Sequence, residues 1–424
     1  MKGNSAPYHL VHIVSSGEYK SPLVASQVFD RAQEQAITEG TDKPASVSVW
    51  IIAPMRDVFD AGSKELLTRL RIRCPNVRIV IAGGISRLGN WPILPLLKAQ
   101  RSAMKGDVVY HCRGESSLVW AVKMRDWRKS DAAILDVRGF WPLERNADTG
   151  VFDEKDMSPA QLGQYRKDVG LLKASVATAD GVCTVSEPLR QFIIETVGAP
   201  AGTMVIPCCV KDTIDTANRA PLREQLGIGN RVALIYLGGT QRYQHLEDMV
   251  MPFVKSALMQ TDDTIAFFVT QNKEKMAALL QQNGLEGDRV RLMSLKQEEV
   301  GKYLTAMDMG LLLRESTIIN NHAQPVKFGE YLSAGLPVIM EAGTWNTRET
   351  LERYGLGCAV QMHGKQGAAL NAEVKQALDW TRTHRQEATK HTLQYVQQQY
   401  TWRANAPRER ALYKAVLQQR AAAA

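Results

Sequence analysis

The sequence predicts an α/β protein made of two consecutive blocks, each a parallel sheet covered by helices. Three observations support this prediction. Short apolar strand candidates alternate with helical stretches along most of the chain. The alternation stops once, between about residues 207 and 231, and restarts as a second block of similar length. A length of 424 residues also favours two domains.

The first block contains seven strand candidates, each a short apolar run of the kind that parallel sheets bury on both faces. They are Tyr8–Val14, Val47–Ala53, Val77–Ile81, Val108–Cys112, Ala132–Val137, Gly181–Val185 and Met204–Ile206. Helices are expected between most of them, at Leu23–Ile37, Lys64–Leu70, Glu115–Arg128, Ala160–Thr178 and Pro188–Thr196.

A polar segment with several glycines and prolines, residues 207–231, indicates the domain boundary. Six strand candidates follow it, at Val232–Leu237, Thr264–Val269, Val290–Met293, Met309–Leu313, Val338–Met340 and Cys358–Val360. The tail, residues 368–420, has a helical pattern throughout. We therefore divide the chain into domains 1–209 and 210–400 and a C-terminal helix, 401–424, with a ligand cleft expected between the strand ends of the two domains.

Composition and charge exclude several classes of protein. The net charge of +8 is spread over both halves without a Lys/Arg block or an aromatic RNA-binding motif, so no nucleic-acid partner is expected. No run of 18 apolar residues and no signal peptide are visible, which predicts a cytoplasmic protein. Six cysteines without a C-x-x-C pair, and eight histidines without ligand spacing, predict reduced thiols and no metal site.

The most informative motif is the segment Gln324–Ile339. Its pattern predicts a short helix that Pro325 opens and Gly335 ends in a left-handed conformation, followed by a buried strand. Lys327 and Glu330 are then expected in the first helical turn above a sheet edge, where α/β folds bind phosphates and sugar hydroxyls. The alternative is a surface helix with an i, i+3 ion pair. The complete motif favours a nucleotide-sugar site.

This motif resembles the signature of family 4 glycosyltransferases, retaining enzymes with two facing Rossmann-like domains (the GT-B architecture). The resemblance implies an acceptor-side N-terminal domain, a C-terminal domain that binds the nucleotide sugar, and a last helix that returns to the first domain. It also implies that Glu330 binds the ribose hydroxyls. The family usually has a further glutamate eight residues earlier, where this chain has His322, a side chain able to hydrogen-bond a sugar hydroxyl or the diphosphate.

A glycine pair follows the first strand of the second block. Gly238 and Gly239 let the backbone approach an anion closely, and Arg242 adds a charged contact in the same loop. In the family this loop contains a basic pair that neutralises the leaving diphosphate. The second basic residue is missing here, and Lys327 is expected to supply that charge. Charge neutralisation by these cations and by helix termini needs no divalent metal, and no Asp-x-Asp pair occurs.

Two further positions are expected to line the donor site. Arg314 follows a buried strand and is a candidate phosphate or sugar contact; the alternative is an ion pair with Glu315 or Asp308. Gly17 lies in the loop after the first strand, and the corresponding loop of the family reaches toward the donor phosphate and the acceptor.

Two strands of the first block end in Arg-Gly turns, and the Asp-x-Arg-Gly form recurs in polysaccharide glycosyltransferases of the family. We expect Asp136 and Arg138 to face the cleft as catalytic residues, with His111 and Arg113 beside them, near a glycan or lipid-linked acceptor. The alternative is that Asp136 and Arg138 only pair to cap strand ends.

The segment Trp91–Lys105 mixes apolar and basic residues. It is a candidate for peripheral contact with an anionic membrane, at the inner face of the plasma membrane, where a lipid-linked acceptor would be found. The alternative is a core helix with a solvated basic face.

These features and the family resemblance together predict a glycosyltransferase of the hexosyltransferase type (EC 2.4 class). The resemblance alone implies that it is retaining and that it acts in cell-surface polysaccharide or lipopolysaccharide assembly. Its donor would be a nucleoside diphosphate sugar, with UDP- or GDP-sugars expected, and no other cofactor is expected. A catalytically weak scaffold of the same fold in a polysaccharide assembly complex, and a sugar-nucleotide epimerase of the same fold, stay open as alternatives. A nicotinamide-dependent oxidoreductase is disfavoured because neither block contains G-x-G-x-x-G.

Overall fold

The computed structural model describes residues 7–54, 56–57, 60–84, 93–344 and 347–423. The chain folds into two compact units that are discontinuous in sequence. Unit 1 contains residues 1–139, 163–211 and 401–424, and unit 2 contains residues 140–162 and 212–400. The expected boundaries after 209 and 400 lie within two residues of boundaries between these units. Segment 140–162, which the sequence analysis counted with the first domain, belongs to unit 2.

Unit 1 is built on a parallel sheet of seven strands. They are β1 (Tyr8–Ser15), β2 (Ser46–Pro54), β3 (Arg78–Gly84), β4 (Asp107–Arg113), β5 (Ala132–Val137), β6 (Gly181–Thr184) and β7 (Met204–Val205). The order across the sheet is β3-β2-β1-β4-β5-β6-β7. Its helices are Pro22–Val24, Arg31–Ile37, Ala61–Arg73, Ile93–Ser102, Gly114–Trp127, most of Pro159–Thr178, Glu187–Val197 and Trp402–Ala423. A π-helical turn, Ala25–Asp30, joins the first two helices.

The core of unit 1 includes side chains from the end of the chain. Leu10 and Val47, paired in register on β1 and β2, are buried in the same cluster as Trp402, Tyr413 and Val416 of the last helix. Apolar burial of this kind is the main favourable term in folding. The expected return of the last helix to the first domain is thereby confirmed.

Unit 2 is built on a parallel sheet of six strands. They are β8 (Val232–Leu237), β9 (Thr264–Val269), β10 (Val290–Met293), β11 (Met309–Leu312), β12 (Val338–Glu341) and β13 (Gly357–Val360), in the order β10-β9-β8-β11-β12-β13. Its main helices are Arg219–Gln225, Met251–Gln260, Lys273–Gln282, Gln297–Thr305, Ile318–His322, Val326–Ser333, Thr347–Tyr354 and Gly367–Tyr395.

All thirteen predicted strands are present, with ends within three residues of the expected positions. The predicted continuous helical tail was wrong at one point. A π-helical turn, Val396–Tyr400, ends the long helix, and Thr401 then forms a parallel bridge with Val210 before the last helix begins. Among the described helices, none is long and apolar enough to cross a membrane.

The direction of the chain connections reverses in the middle of each sheet. In unit 2 this point lies between β8 and β11, which are hydrogen-bonded neighbours although β9 and β10 separate them in sequence. Open parallel sheets bind ligands beyond the carboxyl ends of the strands at such a switch point. A ligand-binding site in unit 2 is therefore expected at the loops that follow β8 and β11.

Candidate functional site

The loops after β8 and β11 are joined by side-chain contacts. Arg314 donates to Gln244 Oε1 at 3.0 Å, and its guanidinium lies 5.6 Å from the centre of the Tyr243 ring. Asn320 Nδ2 donates to the Tyr243 carbonyl at 3.3 Å. The two loops thus form one continuous wall at the carboxyl edge of the sheet.

Lys327 reaches from the helix Val326–Ser333 to the glycine loop. A Cβ at Gly238 would lie 2.9 Å from Lys327 Cε and 3.0 Å from its Nζ, so the ammonium occupies the space that only glycine leaves open. Burial, and then the positive charge of Arg314, lower the pKa of Lys327 to about 8, while Glu330 acts in the opposite direction. The resulting site is positively charged, desolvated and bordered by backbone.

The helix that holds Lys327 follows its predicted pattern. Pro325 is the residue before its first turn, and Gly335 adopts φ of +68° just after its end, as predicted. Tyr331 anchors the helix, since its hydroxyl accepts the Leu237 N–H at 2.8 Å. Lys327 lies in the first turn, but Glu330 is the fifth residue and begins the second turn, so the prediction for Glu330 was wrong by one position.

Glu330 is partly buried and near Lys327. Gln297 Nε2 lies 3.4 Å from Glu330 Oε1, a long hydrogen bond. Burial raises the pKa of Glu330, and the Lys327 charge opposes that rise. These two described side chains act on each other through charge without forming an ion pair, so the helix-surface ion pair that was the alternative at this motif does not occur. Binding of ribose by Glu330 stays a prediction.

Three cations border this wall without a carboxylate partner among the described residues. Arg314 is only 9% exposed, Lys327 is partly buried, and Arg242 is exposed at the tip of the glycine loop. Burying a charge without a partner is costly. An arrangement that tolerates this cost in the free protein is suited to an anion that neutralises the charges, and arginine is especially suited to phosphate.

The alternative partners of Arg314 are occupied elsewhere. Glu315 lies 3.3 Å from His245 Nδ1 and 3.1 Å from His363 Nδ1. Asp308 binds a separate group of basic residues, Arg219, Arg223 and Arg385. The ion pair of Arg314 with Glu315 or Asp308, left open by the sequence, is therefore not formed. Burial lowers the pKa of Arg314, but a guanidinium stays charged at any physiological pH.

Segment 140–162 packs against the glycine loop and was missed by the sequence analysis. Gly150 has φ of +82°, and a Cβ there would lie 3.1 Å from the Cζ atom of Arg242. The Phe152 ring lies 5.3 Å from the His245 ring. Residues nearly a hundred positions away in sequence therefore support both ends of the turn Arg242–Gln244. No local pattern of the sequence could have indicated these contacts.

His245 is the second residue that sequence reasoning missed. It has φ of +50°, the only positive φ of a non-glycine residue in the described part of the chain, and it is 4% exposed. Such conformations cost about 1–3 kcal/mol each and cluster at functional sites. Burial lowers the pKa of His245, and Glu315 opposes that shift. The strained residue joins the Arg242–Gln244 turn to the helix behind it.

His322 and Gly17 are the remaining predicted donor-site residues. His322 ends the helix Ile318–His322, where its Nδ1 lies 2.7 Å from the Ile318 carbonyl, and burial lowers its pKa. Gly17 lies in unit 1, in the 3₁₀ turn Ser16–Lys20 directly after β1. Both assignments stay predictions.

Asp136 of unit 1 is buried in an ion cluster. It is 3% exposed, and its Oδ2 accepts from Arg31 at 2.8 Å and lies 3.4 Å from His111 Nε2. Arg31 also donates to Glu409 Oε2 at 2.9 Å. Burial by itself would raise the pKa of Asp136, but Arg138, His111 and Arg31 together hold it well below its usual range. Asp136 thus acts as a buried counter-ion.

Arg138 is mostly occupied by neighbours in the same cluster. Its guanidinium donates to Gln27 Oε1 at 2.6 Å and to Cys208 Sγ at 3.1 Å, and it lies 3.5 Å from Asp136. These contacts favour the alternative that Asp136 and Arg138 pair at the strand end. Participation of either residue in catalysis stays a prediction.

One group of possible metal ligands occurs in the described residues. The ligand atoms of His111, Asp136 and Cys183 all lie within 4.8 Å of one another. The guanidinium of Arg31 already binds the Asp136 carboxylate at 2.8 Å, and its positive charge opposes a cation at this place. The geometry therefore fits an ion cluster better than a metal centre.

Comparison with known proteins finds no protein-family model and no curated protein that matches this chain. Solved structures do match. The UDP complex of HepE from Anabaena is 14% identical, with a TM-score of 0.65 over 97% of this chain and 100% of that chain. The fold is that of GT-B glycosyltransferases, with two Rossmann-like domains. At this identity, the likeness establishes the architecture alone.

Two further structures have the same architecture. Sucrose-phosphate synthase from Thermosynechococcus elongatus is 17% identical, with a TM-score of 0.66 over 97% of this chain and 100% of that chain. WaaG, a glycosyltransferase involved in lipopolysaccharide biosynthesis, is 12% identical, with a TM-score of 0.58 over 95% of this chain and 98% of that chain. The predicted fold class is confirmed.

Proposed function

We propose that this protein is a glycosyltransferase that uses a nucleoside diphosphate sugar. The observation that supports this most is a group of three cations, Arg242, Arg314 and Lys327, in and around the loops after β8 and β11. None of the three forms an ion pair with a carboxylate among the described residues. A diphosphate has the charge and size that such a group would neutralise. Glycosyltransferase neighbours with the same architecture support the same interpretation.

In this proposal each donor-site residue has a distinct role. Arg242 and Lys327 stabilise the negative charge that develops on the departing diphosphate, which is the electrostatic part of catalysis. Arg314 contacts a phosphate or the sugar, and Glu330 holds the ribose hydroxyls. His322 takes the place of the usual first glutamate beside the sugar. These groups supply the charge neutralisation, so the reaction as proposed uses no divalent ion.

We further propose retention at the anomeric carbon, with the acceptor attacking on the face of the leaving group so that no protein nucleophile is required. Unit 1 would present the acceptor, a glycan or a lipid-linked sugar, with Gly17, Asp136 and Arg138 at the carboxyl edge of its sheet. A hexosyl donor linked to UDP or GDP is proposed, since HepE, one of the neighbours, has been solved with UDP and with UDP-glucose. Cytoplasmic assembly of cell-surface polysaccharide is the proposed setting.

A thermal-shift panel tests the proposal. UDP, GDP, ADP, CMP and NAD are added separately to the wild type and to the Lys327→Ala variant. A ligand that binds the folded state raises the melting temperature by mass action. We expect one nucleoside diphosphate to raise it, and the variant to lose that shift. No shift with any diphosphate, or a shift with NAD alone, would overturn the proposal.

Turnover needs a second assay. If a diphosphate binds, donor hydrolysis and transfer are followed with the matching nucleotide sugars and membrane extracts as the acceptor source. Binding without release of nucleotide would favour the scaffold alternative, which the histidine at position 322 motivates. Conversion of the sugar nucleotide without an acceptor would favour the epimerase.

A further inference from the structure

The outward face of the helix Gly114–Trp127 in unit 1 is apolar and basic. Inward positions such as Leu118 are buried against the sheet. The outward positions Val119 and Trp127 are 49% and 38% exposed, and Lys123, four residues from each, lies between them on the same stripe. A helix that only covers a sheet normally presents polar side chains to water.

Basic side chains surround two tryptophans on this face. The ammonium of Lys98 lies 5.1 Å from the centre of the Trp127 ring, and the guanidinium of Arg128 lies 4.9 Å from it. Lys123 lies 5.0 Å from the Trp120 ring. Lys98 comes from the preceding helix of the chain, so the surface extends over two helices. We call these five residues, with Val119, the tryptophan face.

The surroundings of the tryptophan face have a clear excess of positive charge. Residues 93–106 and 114–129 contain seven lysines and arginines and only two acidic residues. Of the seven, Arg101 is turned inward and pairs with buried Asp131 at 2.7 Å. Arg125 is 12% exposed and pairs with Asp180 at 3.3 Å and Asp126 at 3.1 Å, and Lys129 lies 4.0 Å from Asp126. The remaining four basic residues, at positions 98, 105, 123 and 128, supply the excess positive charge. Tryptophan rings prefer the headgroup region of a bilayer, and each basic side chain near an anionic leaflet adds to binding.

We propose that the tryptophan face docks on an anionic lipid bilayer. The inference rests on the proposed function, because a lipid-linked acceptor lies at such a surface. Charge complementarity favours a bilayer over a protein partner. The apolar area is a few side chains only, less than a stable protein interface buries, whereas attraction to anionic headgroups adds up over separate basic residues.

The segment Trp91–Lys105, which the sequence suggested as the membrane contact, contributes only part of this surface. Its first two residues, 91 and 92, lie outside the described residues. In its helix, Ile93 and Leu97 are buried, as in the core-helix alternative, and Lys98 contributes to the tryptophan face. The apolar part of the docking surface comes from the next helix and was not predicted.

Sedimentation with vesicles tests this proposal. The full-length protein is mixed with vesicles of phosphatidylcholine alone or of phosphatidylcholine with phosphatidylglycerol. We expect binding to the anionic vesicles only. The double variant Lys98→Glu/Lys123→Glu should bind about thirtyfold more weakly or worse, because each basic residue contributes a similar factor. The matched control, Lys173→Glu/Lys375→Glu, changes the net charge equally at exposed positions elsewhere and should bind as the wild type does.

Fluorescence identifies the surface directly. Wild-type emission should shift to shorter wavelength on anionic vesicles, and the double variant Trp120→Phe/Trp127→Phe should lose most of that shift. Equal loss of binding in the control double variant, or no binding by the wild type, would overturn the docking proposal. The nucleotide-induced thermal shift should be unchanged in Lys98→Glu/Lys123→Glu, so that failure of docking is distinguishable from failure of the proposed function.

Discussion

The carboxyl edges of the two sheets use charge in opposite ways. In unit 1, Arg31 is enclosed between Asp136 and Glu409 at 2.8 and 2.9 Å, and the cluster is balanced within the fold. In unit 2, Arg314 and Lys327 lie beside a glycine loop with no carboxylate in ion-pair contact among the described residues. Similar architecture therefore supports a charge-balanced ion cluster in one unit and, in the other, a group of cations that the proposed function assigns to a ligand.

Charges that stabilise the fold and charges that await a ligand are expected to respond differently to substitution. A buried ion pair costs desolvation that its partner must offset, so removing one member mainly lowers stability. A cation without a partner lowers the stability of the free protein, and this cost is offset only when a ligand binds. A variant in the unit 1 cluster should therefore lower stability and leave nucleotide binding unchanged. A variant in the unit 2 cluster should weaken nucleotide binding and leave stability nearly unchanged.

The largest effect is expected from Lys327→Ala. Loss of this cation should lower transfer activity by about 10²–10³-fold, the range measured when one stabilising group of a transition state is removed. Its stability should be unchanged or slightly higher, because the charge it removes is buried beside Arg314. Activity and chemical denaturation are measured side by side. Lys302→Ala, at an exposed position of the same unit, is the control and should leave activity intact.

The reciprocal experiment is Arg31→Met. Removing this guanidinium leaves two buried carboxylates, Asp136 and Glu409, without the cation that they share, which should cost about 3–5 kcal/mol of unfolding free energy. Below its melting temperature the variant should still bind the nucleotide as the wild type does. Lys375→Met, which breaks an exposed pair with Asp379, should cost less than about 1 kcal/mol. A mild effect of Arg31→Met would contradict the structural role of this cluster.

The depressed pKa of Lys327 predicts a pH dependence of nucleotide affinity. Below about pH 8 the Lys327 ammonium is charged, and nucleotide affinity should be constant. As the pH rises through 8, the free protein loses the Lys327 proton. Binding of the nucleotide then requires uptake of a proton, which weakens the affinity. Affinity should fall by about tenfold between about pH 8 and 9.5, measured by calorimetric titration. Lys327→Arg should remove the dependence, since a guanidinium stays charged in this range. A flat wild-type profile would contradict the assignment.

The smallest effect is expected from Gly150→Ala. The new methyl group would press on the Arg242 guanidinium, so nucleotide affinity should fall by about threefold to tenfold, in line with a displaced charged contact. Gly198→Ala is the matched control, because Gly198 has φ of +78° but a Cβ there would meet no atom within 4 Å. Both variants should lose about 1 kcal/mol of stability from the left-handed backbone. Equal nucleotide affinities of Gly150→Ala and Gly198→Ala would mean that segment 140–162 does not support Arg242.

Local sequence patterns were enough to predict the thirteen strands, the division into two α/β blocks and the helix that presents Lys327. These features follow from local patterns, namely the apolar runs of buried strands and the proline and glycine that bound a helix such as Val326–Ser333. Such patterns are readable because each depends on residues a few positions apart. Two of the donor-site candidates, Lys327 and Glu330, came from that same short motif.

Which charges are paired, and which distant segments contact each other, could be seen in the folded protein but not in the sequence. Arg31 finds its partners 105 and 378 positions away in sequence, and Gly150 meets Arg242 across the domain boundary that the sequence suggested. Whether an arginine is a counter-ion or a ligand contact depends on which distant side chains share its space. Backbone periodicity depends on residues a few positions apart. Electrostatic and packing partners depend instead on distances in space, which only the folded chain sets.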